Sequence, residues 1–169
     1  MIFVYIFLVI IGVPFFIMLV SALIGIPCMP THKKQAKILL ELCKVGPGVK
    51  MVDLGSGHGR LVIMAGMLGA DVVGYELNPF LVLISRYLVR KFGLEERVKI
   101  RWRSLYQADI KDADVVTTFL FAKPMVKLAS GLFRDLKPGA LVASYTFPIK
   151  DWQPIIEKEG ISVYQILTK

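Results

Sequence analysis

Residues 51–60 read MVDLGSGHGR, a short apolar run that empties into glycines. Val49 to Leu54 predicts a buried strand with one acidic residue, Asp53, just before its end. Gly55, Gly57 and Gly59 follow, removing the side chains that would hold a ligand off the backbone. Residues 60–68 (RLVIMAGML) then have the composition of a buried helix. A strand, a bare loop and a helix in that order form a cradle for a flat, polar cofactor. The spacing is G-x-G-x-G, with Arg60 where a G-x-G-x-x-G loop carries its third glycine, so the NAD fingerprint is not met.

A second apolar run, DVVGY at residues 71–75, ends on Glu76. It lies about twenty residues beyond the loop, where nucleotide-binding α/β folds place a carboxylate on the ribose hydroxyls. Outward from these two stretches the pattern repeats. Asn78 and Pro79 predict the cap and first turn of a helix running to about Phe92. Residues 97–102 predict a third strand, with Ser104 and Leu105 beyond its tip, and residues 112–121 (DADVVTTFLF) a fourth, apolar enough for burial on both faces. A helix over 123–136, a KPGA turn, a fifth strand over 141–147 and a closing hairpin after Trp152 complete the chain. Before the first strand, Thr31 is a candidate N-cap for a helix over 32–44 with one apolar face. The predicted fold is α/β, a Rossmann-like doubly wound and mostly parallel sheet with an antiparallel end. Ligands in such sheets sit at the carboxyl ends of the strands.

Residues 1–27 carry no charged side chain, and a helix of about 25 residues spans roughly 37 Å, enough to cross a bilayer core. They are expected to form a transmembrane anchor, with residues 28–169 as the soluble domain. A cleaved signal would need a basic start, a shorter apolar run and a small-residue cleavage site, none of which is present. Lys33, Lys34 and Lys37 follow the apolar run, which orients the N-terminus outward and the domain to the cytoplasmic side. The net charge of +8 suits a domain held at an anionic membrane surface. Nucleic acid is the weaker reading, because RWR at 101–103 is explained by a strand with one wet face. Cys28 and Cys43 have neither metal nor redox spacing, His32 and His58 have no partner at ligand spacing, and no metal is expected.

The chain resembles a class I S-adenosylmethionine-dependent methyltransferase. It is similar in particular to the protein-lysine methyltransferases that include the ATP synthase c-subunit enzyme and small archaeal enzymes. The resemblance is carried by PCMPTHKKQAKILLELCKVGPG, VDLGSGHGR, GYELNPFLVLISR, DADVVTTFLF and LKPGALVASYTFPIKDWQP. It implies S-adenosylmethionine as cofactor, with Asp53, Gly55, Ser56, Gly57 and Gly59 around its methionine moiety and Glu76 on its ribose. Leu77 and Asn78 would flank the adenosine, and Ser104 and Leu105 the adenine. Two departures stand out: His58 where the family pattern usually reads an acidic residue, and Pro124 later than an FLxP-like arrangement would place it.

Lysine's reference pKa near 10.4 leaves only about one amine in a few thousand neutral at pH 7, so an acceptor slot must lower it. Desolvation among aromatic rings does so without a dedicated base. Phe119, Phe147 and Trp152, near strand ends, are the candidates for that slot; no proton-abstracting residue is identifiable. A short tether favours a lysine on a membrane-proximal protein. The alternatives are a lipid or quinone head group as acceptor, or a scaffold that binds cofactor without transfer.

Overall fold

The computed structural model describes residues 32–167, together with the isolated positions 2, 5, 7, 9, 11 and 12. The anchor expected over residues 1–27 therefore lies almost wholly outside the described residues. Among those described, no helix is long and apolar enough to cross a membrane.

The first helix, α1 (Lys33–Leu42), starts from His32 as N-cap and buries Ala36, Leu39 and Leu40. It ends on Lys44, a non-glycine residue at φ +51. Val45 N–H donates to Leu40 O and Lys44 N–H to Glu41 O, so the last carbonyls are satisfied by a Schellman turn. The chain then enters β1 (Lys50–Leu54). It continues through α2 (Arg60–Met67), β2 (Asp71–Glu76), α3 (Pro79–Lys91) and β3 (Val98–Trp102). Helices α2 and α3 close with the same turn, using Gly69 at φ +91 and Gly93 at φ +65.

The second half consists of β4 (Val115–Thr118), α4 (Ala122–Ser130), β5 (Leu141–Tyr145), β6 (Ile156–Lys158) and β7 (Ile161–Gln165). Two expectations are corrected here. The fourth strand is four residues rather than the whole of 112–121, because pairing with β1 and β5 stops at Thr118 and the aromatic run leaves the sheet. The helix expected over 123–136 breaks at Gly131, after which Leu132–Asp135 is a separate 3₁₀ turn.

All seven strands form one sheet in the order β3-β2-β1-β4-β5-β7-β6, parallel from β3 to β5 and antiparallel at β7 and β6. The closing hairpin turns on Glu159 and Gly160, at φ +49 and +76, the two positive values that a tight two-residue turn requires. Alternate residues point to opposite faces. Met51, Val72, Val98, Val115, Ala143 and Val163 join a core beneath α1, α2 and α3. Val52, Leu54, Tyr75, Val116, Val142 and Tyr164 join a second core beneath α4 and the 3₁₀ turns. Cys43 is a free thiol inside the first core, where burial pushes its pKa up to about 12 and keeps it unreactive. The order of the strands reverses between β1 and β4, so the crevice of the doubly wound sheet opens where β1 runs into its glycines.

Candidate functional site

Leaving β1, the chain is pinned at once to the end of β2. Gly55 N–H and Ser56 N–H both donate to Tyr75 O, at 2.9 and 3.0 Å. Gly57 N–H then donates to Glu76 Oε2 at 2.9 Å. The other carboxylate oxygen, Glu76 Oε1, accepts from Leu77 N–H and Asn78 N–H, both at 2.8 Å. Glu76 therefore faces the glycines, and its charge is held by three backbone donors from both sides of the crevice. A carboxylate has about four acceptor positions, so one remains for a ligand hydroxyl.

The glycines are required by geometry. Gly55, Gly57 and Gly59 have φ of +92, +57 and +89. A Cβ on Gly59 would stand 2.8 Å from Ser85 Cβ, so α2 and α3 can cross here only because residue 59 has no side chain. Gly74 plays the same part under the loop, where a Cβ would lie 2.8 Å from both Ser56 Cβ and Ser56 Oγ. Ser56 is 6% exposed, and its Oγ has no hydrogen-bond partner among the described residues. A buried hydroxyl without a partner costs about 1–3 kcal/mol, which a polar ligand in the cradle would recover.

Asp53 sits behind the loop on β1, 6% exposed, and accepts a 2.7 Å hydrogen bond from Thr117 Oγ1. The two residues are register partners across β1 and β4. Burial pushes the Asp53 pKa up to about 7; the nearby Glu76 charge adds to the rise and the Thr117 bond works against it. His58, where the family pattern usually reads an acidic residue, has its pKa lowered by burial and by the Arg60 charge.

Asn78 caps α3, its Oδ1 accepting from Phe80 N–H at 3.0 Å and Leu81 N–H at 3.4 Å. Leu77 is exposed beside it, and its carbonyl accepts from Trp102 Nε1 at 3.0 Å. Ser104 is the N-cap of a 3₁₀ turn (Leu105–Gln107), and Leu105 is buried in it. That turn is fastened to β2 by Asp109 N–H, which donates to the Tyr75 hydroxyl at 3.0 Å. Residues 53–59, 76–78 and 104–105 thus lie at one end of the sheet.

The three aromatic candidates part company. Phe119 packs on Tyr145 with ring centroids 4.8 Å apart, and Phe121 on Phe147 at 4.9 Å. Trp152 instead packs on Phe133 and Tyr164, at 6.1 and 5.9 Å, in the second core. Thr117, Tyr145 and Phe121 were not singled out from sequence. The first needed the β1–β4 register, Phe121 the course of the loop after β4, and Tyr145, the last residue of β5, the long-range contact with Phe119.

Residues 53–156 match the family model described as the ANTKMT methyltransferase domain. The chain belongs to this methyltransferase family. The ATP synthase c-subunit lysine N-methyltransferase of Homo sapiens is 34% identical over 80% of this chain, which spans only 58% of that protein's length. A protein-lysine N-methyltransferase of Saccharolobus islandicus is also 34% identical, over 82% of this chain and 85% of its own. Among solved structures, an RNA methyltransferase of Salinibacter ruber in complex with S-adenosyl-L-homocysteine is 38% identical. Its TM-score is 0.78, covering 83% of this chain and 95% of that one.

Proposed function

We propose that this chain is an S-adenosylmethionine-dependent protein-lysine N-methyltransferase, anchored by its N-terminal segment and acting on a lysine close to the membrane. The observation that carries this reading is the Glu76 carboxylate turned onto the glycine loop, with one oxygen on Gly57 N–H and the other on the start of α3. The lysine N-methyltransferases among its relatives support the acceptor. The uncharged residues 1–27 and the lysines after them support an outward N-terminus and a catalytic domain on the cytoplasmic side.

S-adenosylmethionine supplies an electrophilic methyl group on a positively charged sulfur. Glu76 offers its remaining acceptor position to the ribose hydroxyls. Gly55, Ser56, Gly57 and Gly59 present backbone and one free hydroxyl to the methionine end, and the Asp53 carboxyl lies behind them. Leu77, Asn78, Ser104 and Leu105 border the adenosine. The acceptor amine must arrive neutral, and the Phe119–Tyr145 and Phe121–Phe147 ring pairs provide an apolar approach that removes water from it. No side chain is assigned as a general base; positioning carries the rate.

The test is the destination of the label when S-adenosylmethionine with a labelled methyl group is incubated with the full chain and membranes from cells lacking the gene. Label on a lysine of a membrane protein, located by mass spectrometry, is the expected result. Label in lipid or quinone, label in RNA as the Salinibacter protein's name would suggest, or binding without transfer would each replace this reading with another.

A further inference from the structure

We infer that α3 and Trp102 form a second membrane-contacting surface, separate from the N-terminal segment, which lays the catalytic domain against anionic lipid. Helix α3 is apolar on two sides. Val82, Ser85 and Val89 face the core, as an amphipathic helix requires. The opposite side should be polar, yet Phe80, Leu83, Ile84 and Tyr87 recur there at helical spacing, with Leu83 and Tyr87 each 63% exposed. Leu77 at the helix entrance and Trp102 at the end of β3 extend the patch, Trp102 being 62% exposed. The indole N–H donates to Leu77 O, which satisfies its polar edge and leaves the ring free for an apolar phase.

The charges around the patch select the occupant. Residues 79–91 and 98–103 contain Arg86, Arg90, Lys91, Lys99, Arg101 and Arg103 and no acidic residue. Arg86 is occupied with Ile100 O, and Arg90 lies 3.6 Å from Glu95 in the turn beyond the helix. On β3, Lys99 and Arg101 alternate with Trp102 and point to the other face of the sheet, so the basic residues on the side of the patch are those of α3, with Lys91 exposed at its end. An apolar face bordered by the basic residues of α3, with an aromatic ring at its margin, fits a bilayer interface carrying anionic lipid, to which nearby basic residues are attracted. A second copy of the chain would bring the same positive rim against itself. Because Glu76, Leu77 and Asn78 sit at the entrance of α3, lipid on this face would also place the cradle beside the membrane surface.

This surface does not depend on the methyl-transfer reading, and its test uses no turnover. The full chain is bound to phosphatidylcholine vesicles, with and without phosphatidylserine, whose acyl chains carry bromine. The Trp102 contribution is the difference in fluorescence between wild type and Trp102→Phe, which leaves Trp152 in both. Roughly a two-fold drop in Trp102 emission is expected in the serine-lipid vesicles, weakened by salt. The exposed double variant Leu83→Glu/Tyr87→Glu should abolish the drop while keeping its circular dichroism. Unquenched Trp102 in a protein that still sediments with vesicles would overturn the inference. So would a solution dimer that the double variant dissociates.

Discussion

Between Gly55 and Asn78 the crevice is shaped by backbone, and between Phe119 and Phe147 it is shaped by rings. On the first side, five N–H groups are committed to Tyr75 O and the Glu76 carboxylate, and three glycines take positive φ. On the second, Phe119–Tyr145 and Phe121–Phe147 pack in pairs at and beyond the ends of β4 and β5. Backbone donors at fixed positions suit a ligand that never varies, while rings on irregular segments can be exchanged as the acceptor changes. Under the proposed function the cofactor takes the first side and the acceptor the second, and each variant below is expected to disturb one side and spare its neighbour.

The largest effect is expected from Asp53, which belongs wholly to the backbone side. Its folded pKa of about 7 lies above that of an unfolded aspartate, so the folded protein holds this proton more tightly than the unfolded chain. Stability from this group is then complete below about pH 4 and is lost as pH rises towards 7, by a total of about 4 kcal/mol. Asp53→Asn should remove that slope, so urea unfolding of the two proteins should diverge progressively between those pH values. Parallel curves would mean that Asp53 ionises as freely as a surface group.

Gly59→Ala comes next. The added methyl would meet Ser85 Cβ at 2.8 Å with φ held at +89, combining overpacking with left-handed strain for about 3 kcal/mol. Ser85→Gly in the same chain should restore part of the loss by removing the colliding atom. If the double variant unfolds at the same urea concentration as Gly59→Ala alone, backbone strain and not the α2–α3 crossing is what fixes this glycine.

What could be read from the chain divides along the same line. The strand–glycine–helix order, the Glu76 tip and the Asn78–Pro79 cap are local patterns, so residues 49–92 were legible with errors of a residue or two at element ends. Thr117 was invisible because its meaning is a register: only when β4 lies beside β1 does its hydroxyl reach Asp53. DADVVTTFLF reads as one apolar strand, yet its last residues turn out of the sheet to pair with Tyr145 and Phe147, a long-range choice that no periodicity records. Trp152 lay near a strand end in sequence, but the second core had room for its ring beside Phe133 and Tyr164.

Glu76→Gln separates ligand binding from loop support. The amide keeps one acceptor oxygen, but its NH₂ must then face either Gly57 N–H or the Leu77 and Asn78 N–H groups, donor against donor. Loss of a charged acceptor should weaken S-adenosylhomocysteine binding by about 2 kcal/mol, roughly 30-fold, measured by calorimetry. Because the Glu76 charge contributes to the raised Asp53 pKa, the pH slope of stability should also shrink. Unchanged affinity would remove the ribose from Glu76 and leave it as a brace for the loop.

The smallest effect probes the ring side. Thr146 holds φ +70, its N–H donating to Gly160 O at 2.8 Å while Phe147 N–H reaches back to Tyr145 O at 2.9 Å. That is a three-residue turn of the strained, positive-φ kind, and a β-branched residue is poorly suited to it. The left-handed conformation costs roughly 1–2 kcal/mol, and glycine would recover it minus about 0.5–1 kcal/mol of extra unfolded-state entropy. Thr146→Gly should therefore raise stability by up to about 1 kcal/mol. Strain of this kind persists where the surroundings fix a useful geometry, and here it sends Tyr145 to Phe119 and Phe147 to Phe121 on either side of the turn. With the turn relaxed, Phe147 loses its fixed position, and methyl transfer should slow about three-fold with cofactor affinity unchanged. A more stable protein with undiminished turnover would show that the strain at Thr146 serves the hairpin contact to Gly160 and not the acceptor.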